Sequence, residues 1–131
     1  MKHRGFTLIE ILVTISIIGM LTMIGVTNFK VANKKVRDGR RQGDLQQIRA
    51  ALELYRTDEN IYPTTGNLSL LEPDYIGTIP TDPTTGYLYP YTSVAGTTYT
   101  LCSALELSTA TVTDCGSCGT ATCRYKITNP L

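Results

Sequence analysis

Glu10 is the residue whose position most needs a chemical explanation. It is the single charge in the run Phe6 to Phe29, where Ile, Leu, Val and Met predominate. A carboxylate about one turn into a membrane-spanning helix costs about 2.5–3.5 kcal/mol, and ionisable groups at such depth are usually functional. Four cysteines, Cys102, Cys115, Cys118 and Cys123, form the second chemical group. An even set in a compartment that oxidises thiols reads as a disulfide framework with three possible connectivities. A zinc site built on all four thiolates, with Cys115-x2-Cys118 at its centre, competes with it, although zinc ribbons usually offer two such pairs. Redox chemistry of the thioredoxin kind lacks its βαβ setting. The one histidine, His3, lies in a short basic leader, so no His-based catalysis is expected downstream. No phosphate loop, dinucleotide fingerprint or HExxH is present. Asp58 and Glu59 read as the polar end of a helix, and Asn67-Leu68-Ser69 as a chance sequon.

The residues around Glu10 carry a resemblance. Gly5-Phe6-Thr7-Leu8-Ile9-Glu10, followed directly by a spanning run, resembles the processing site of type IV prepilins and type II secretion pseudopilins. The resemblance implies peptidase cleavage between Gly5 and Phe6, N-methylation of Phe6, and a role for Glu10 as the assembly carboxylate. It also implies partners: further copies of the chain, minor pseudopilins, a prepilin peptidase/methyltransferase, and an inner-membrane platform with its cytoplasmic ATPase. Physical reasoning agrees. Cleavage creates an amine at Phe6, and pairing it with Glu10 of a staggered neighbour satisfies two costly charges. Leaving either alone costs about 3–5 kcal/mol, which makes the pair a register device.

Positioning elements follow from the apolar pattern. Residues 1–5 form the leader, 6–29 a transmembrane and assembly helix, 30–57 an amphipathic stem, and 58–131 a globular head. A cleaved secretory signal is the competing reading of the N-terminus, but its apolar core usually runs only about 7–15 residues and ends at a small-x-small site, which is missing here. In the stem, Leu45, Ile48, Leu52 and Tyr55 share one stripe that should pack on a sheet. From Phe6 to Arg56 the helix would extend about 75 Å at 1.5 Å per residue. Gly19, Gly25, Gly39 and Gly43 weaken it, and Thr27 stands where members of the family often carry Pro.

Beyond Thr57 the composition shifts to Thr, Tyr, Pro and Gly, and three strands are expected: Tyr87 to Tyr91, Thr97 to Leu105, and Cys123 to Thr128. Turns at Ala95-Gly96 and Gly116 to Gly119 would join them as a meander. The fold class is therefore α+β, a long N-terminal helix laid on a small antiparallel sheet. The blocks Ala50 to Thr65 and Tyr75 to Pro83 are similar to the G-type, major pseudopilin. If the second and third strands pair, Cys102 and Cys123 meet across them, leaving Cys115 and Cys118 to close a tight loop. The tyrosines of the head are expected at sheet edges with hydroxyls at the surface, a stacking platform for sugars or bases being the sharper alternative. The resemblance would bring a calcium loop, but only Glu106 and Asp114 lie in the corresponding stretch, so no calcium or other cofactor is expected.

Charge is uneven along the chain. The totals are 12 Lys plus Arg against 11 Asp plus Glu, for a net +1. Lys30, Lys34, Lys35, Arg37, Arg40 and Arg41 crowd the stem against Asp38, whereas residues from Gly43 onward are net acidic. Under the positive-inside rule the stem opposes Lys2 and Arg4 of the leader. Anionic lipid or nucleic acid is an alternative target for it, nucleic acid being disfavoured, and packing of basic stem on acidic head between stacked subunits is a third. The functional expectation is a structural subunit of a type II secretion filament, not an enzyme, held in the bacterial inner membrane with its head outside the cytoplasm. A type IV pilus or DNA-uptake pilin and a single-pass anchored binding module are the alternatives.

Overall fold

A computed structural model describes residues 5–130, apart from the side chains of residues 25–27. The leader residues 1–4, with Lys2, His3 and Arg4, lie outside the described residues, as do Leu131 and the expectation attached to Thr27. The chain divides into two compact units, Met1–Lys34 and Lys35–Leu131.

Helix α1 spans Leu8–Glu59. Its first part belongs to the first unit, where every described side chain is exposed. An 18-residue window there has a mean hydropathy of 2.2, long and apolar enough to cross a membrane by length and composition. Helical structure continues through Gly39 and Gly43, where an added Cβ would meet nothing.

In the second unit the helix becomes part of a core. Leu45, Ile48 and Leu52 are fully buried, with Tyr55 packed beside them. They face a three-stranded antiparallel meander in the order β1 (Tyr91–Val94), β2 (Thr98–Ser103), β3 (Tyr125–Thr128). The three-residue β1–β2 connection uses Ala95 and Gly96 at positive φ, 52° and 67°, and is closed by Thr97 N–H donating to Val94 O at 3.0 Å, a backbone shape that follows the strand twist. Tyr62, Leu71 and Ile76, from the loop and short 3-10 helix Leu68–Leu71, close the core between helix and sheet.

All three strands differ in extent from expectation, the second running Thr98–Ser103 instead of Thr97 to Leu105. The first strand begins at Tyr91, not Tyr87, because Pro90 offers no amide donor and Leu88 N–H is already committed to Cys118 O at 3.1 Å. Tyr87 makes only an isolated bridge to Gly119. The third strand begins at Tyr125, past Cys123.

The cysteine pairing also differs. Cys102 bonds Cys115 and Cys118 bonds Cys123, with no free cysteine among the described residues. The expected Cys102–Cys123 link fails on register, since Cys102 stands opposite Lys126 and Cys123 lies outside the ladder. Both disulfides pack with Ala104, Tyr87, Val112 and Ala121 in a second small core. Successive strand residues point to opposite faces, so β2 sends Tyr99 and Leu101 into the main core and Cys102 into this one.

Nor do the tyrosines line the edges as expected. Tyr62, Tyr91 and Tyr99 are buried, and Tyr62 meets Tyr99 edge-on with centroids 4.7 Å apart. Their hydroxyls are satisfied inside: Tyr99 and Tyr62 donate to Glu53 at 3.1 and 3.0 Å, and Tyr91 donates to Pro63 O at 2.7 Å. Burial first, then the Glu53 charge, pushes the Tyr99 phenol up, and burial raises Tyr91 to about 12. These rings are scaffold rather than a stacking platform.

Candidate functional site

The N-terminal turn assembles itself from Thr7 and Glu10. Thr7 N–H and Oγ1 both donate to Glu10 Oε2, at 2.9 and 2.8 Å, and Glu10 N–H donates back to Thr7 Oγ1 at 3.4 Å. This is a reciprocal capping box, Thr-x-x-Glu, opening α1. The Thr7–Glu10 spacing carried that signal, which the reading of the sequence missed. Gly5 and Phe6 precede the helix in irregular, exposed backbone, so the peptide bond between them is not protected by helical hydrogen bonds. Phe6, Leu8 and Ile9 are 82, 82 and 69% exposed. The turn therefore offers three things together: an accessible Gly-Phe bond, a carboxylate five residues beyond it, and an apolar surface that none of the described residues covers.

A second constellation joins the stem helix to the head within the second unit. Arg41, wholly buried, donates from Nε and Nη2 to Asp82 at 2.8 and 3.0 Å, from Nη1 to Asp38 at 2.8 Å and Glu106 at 3.0 Å, and from Nη2 to Thr84 at 2.8 Å. Arg37 holds Glu106 through two bonds of 2.6 Å. Asp38 in turn accepts the backbone N–H groups of Glu106 and Leu107. The Tyr87 ring lies 5.2 Å from the Arg41 guanidinium. Burial would lower the Arg41 pKa, but its bonds to Asp82, Glu106 and Asp38 outweigh that and raise it. The bonds from Arg37, then Arg41, hold Glu106 down to about 2. Nothing in the local sequence flagged this clamp beyond the lone Asp38 three residues before Arg41 in a basic stretch. Basic stem and acidic head thus meet inside one chain at Arg37 and Arg41, whereas the expectation is packing between subunits.

Among the described residues no group of three or more His, Cys, Asp or Glu is placed to hold a metal ion. Where three carboxylates do converge, the Arg41 guanidinium fills the space between them. The four cysteines are spent on disulfides, which removes the zinc reading. Asp58, at the polar end of α1, accepts the Tyr75 hydroxyl at 3.1 Å.

Residues 1–26 match the family described as the prokaryotic N-terminal methylation motif. The chain is 41% identical over 73 residues to the type II secretion system core protein G of Escherichia coli (strain K12), covering 54% of this chain and 50% of that protein. It is 42% identical over 65 residues to the core protein G of Klebsiella pneumoniae, covering 49% and 46%. Against the core protein G of Vibrio cholerae it is 34% identical over 64 residues, covering 49% and 44%. The chain thus spans about half the length of the curated relatives it matches. No solved structure matches it.

Proposed function

We propose that the chain is a prepilin-type subunit of a type II secretion filament: cut between Gly5 and Phe6, methylated at Phe6, and polymerised through the apolar segment 6–29, most of it the first part of α1. One observation carries this reading. Every described side chain from Phe6 to Lys34 is exposed, so an apolar helix of this length must be covered by lipid before assembly and by copies of itself after it. Transfer from lipid to filament brings Glu10 out of its local capping box and within reach of the Phe6 amine of a neighbour. That exchange converts two costly buried charges into one pair and fixes the stagger. The similarity to core protein G supports the secretion assignment, and the acidic head would stand outside the cytoplasm. A prepilin peptidase, an inner-membrane platform with its ATPase, and minor subunits would be the partners.

The test is the intact mass and N-terminal sequence of the protein recovered from cell envelopes. A terminus at Phe6 carrying one extra methyl is expected, and an intact Met1 would refute the assignment. Glu10→Val is expected to abolish filaments while leaving the head folded. The cysteines of the C-terminal end are the ground for a second reading, a type IV pilus or DNA-uptake pilin. A secretion defect on deletion, without long surface fibres, decides for the secretion filament.

A further inference from the structure

Two charge placements in this chain work against the chain itself. Asp58 and Glu59 sit in the last turn of α1, where the negative end of the helix dipole disfavours anions. Asp74 follows close by, for Tyr75 donates to Asp58 and its ring meets Tyr55 edge-on at 5.3 Å. After burial and the bond to Asp58, the charges of Asp58, Glu59 and Asp74 raise the Tyr75 pKa. Neither Glu59 nor Asp74 has an ion pair among the described residues, and Asp58 is neutralised by none.

The opposite violation lies at the start of the stem. Lys30, Lys34 and Lys35 are exposed, sit on the side of the span where the positive-inside rule disfavours them, and have no ion pair among the described residues. Their neighbours differ: Arg37 and Arg41 are consumed by Glu106 and Asp82, and Arg40 approaches Asp44 at 3.9 Å. Lys35 and Asp58 are separated by 23 residues of one helix, about 35 Å at 1.5 Å per residue, so these two do not neutralise each other within one copy.

We propose that in the filament the Asp58, Glu59 and Asp74 patch of one copy docks on Lys30, Lys34 and Lys35 of another. The occupant is a second copy because two sets of three opposite charges, each unpaired and each badly placed in its own chain, complement each other only between chains. The inference rests on the filament reading above. It adds a second register device, in the aqueous zone, to the one at Glu10. Its pairs are exposed, so each is individually weak and all are screened by salt. Their effect accumulates because every subunit makes the contact, and complementary patches steer correct docking more than they add affinity.

The experiment uses the full chain in its envelope, with three variants: Lys30→Glu with Lys34→Glu and Lys35→Glu; Asp58→Lys with Glu59→Lys and Asp74→Lys; and all six together. Sheared filaments are quantified against total subunit, and the melting temperature and intact disulfides of each variant check its fold. Either reversal alone is expected to lower filament yield about tenfold, and the sixfold variant to restore it to within about threefold of the parent. Neutral variants such as Lys34→Gln with Asp58→Asn should fall between and lose the salt sensitivity of the parent. If the parent assembles and both reversals assemble equally well, or the sixfold variant rescues neither, the docking is wrong and the filament reading stands. If the basic reversal instead lowers retention of the subunit on vesicles containing phosphatidylglycerol, with no rescue by the acidic reversal, the lysines serve lipid phosphates and the docking is overturned. A parent that forms no filament overturns both readings.

Discussion

Replacing Arg41 with Met should unlatch the head from the stem helix. The side chains of Arg41 and Asp82 are both 0% exposed. With Arg41 gone, Glu106 keeps both bonds from Arg37, and Asp38 keeps the N–H groups of Glu106 and Leu107. Asp82 keeps only the Thr84 N–H at 2.8 Å. The cost therefore concentrates on one buried, uncompensated carboxylate, a situation worth about 3–5 kcal/mol. For a unit the size of Lys35–Leu131 each kcal/mol moves the melting temperature by about 4–8 °C, so a fall of about 12 °C or more is expected. Arg41→Lys should lie between, since an ammonium cannot grip Asp82 through two parallel bonds. Arg41→Met combined with Asp82→Leu removes both charges and should recover about half of the loss. The assay is thermal unfolding of the detergent-solubilised chain, followed by the near-ultraviolet dichroism of its buried tyrosines. A fall below about 4 °C for Arg41→Met, or no recovery in the double variant, would refute the reasoning.

Other outcomes follow from the same geometry. Glu106 is held down to about 2 from the usual 4.5, so its contribution is complete above pH 4.5 and disappears as the pH falls through 2; acid titration of stability should show a loss of up to about 3 kcal/mol in that window, absent in Glu106→Gln. The Cys102–Cys115 and Cys118–Cys123 links have sequence separations of 13 and 5, so Cys→Ala pairs should cost about 3 and about 2 kcal/mol by loop entropy in urea unfolding. Reductant should lower the melting temperature, while a chelator leaves it unchanged. Gly119 has φ +80° and a Cβ there would run into the Gly86 carbonyl, so Gly119→Ala should cost more than about 2 kcal/mol, against about 1 kcal/mol for Gly116→Ala, where φ is +65° and the space is open.

The helix and its apolar stripe were legible because both are local. Leu45, Ile48 and Leu52 obey a 3.6-residue period whatever the rest of the chain does, and Glu10 stands out in an apolar run. The Ala95-Gly96 turn was legible for the same reason, two residues sufficing to define it. What escaped depends on long-range register. Cys102 pairs by where β3 slides, and Lys126 rather than Cys123 falls opposite it. The tyrosines went inside because Glu53, on the helix, reaches the hydroxyls of Tyr62 and Tyr99, a partner that strand alternation does not reveal. The Arg41 clamp was hidden in a basic stretch, because its partners Asp82 and Glu106 come from loops 41 and 65 positions later.

That clamp also sets where the chain can be cut. A soluble fragment made by removing the apolar helix is commonly started wherever hydropathy drops, and here any residue after Phe29 would satisfy that criterion. A fragment beginning at Gln42 would keep all of Leu45, Ile48 and Leu52, yet strand Asp82 in the dry interior and free the loop carrying Glu106. One beginning before Arg37 retains both guanidinium groups. The stretch of helix from Arg37 to Arg41, which looks like a handle, is structurally the first layer of the head.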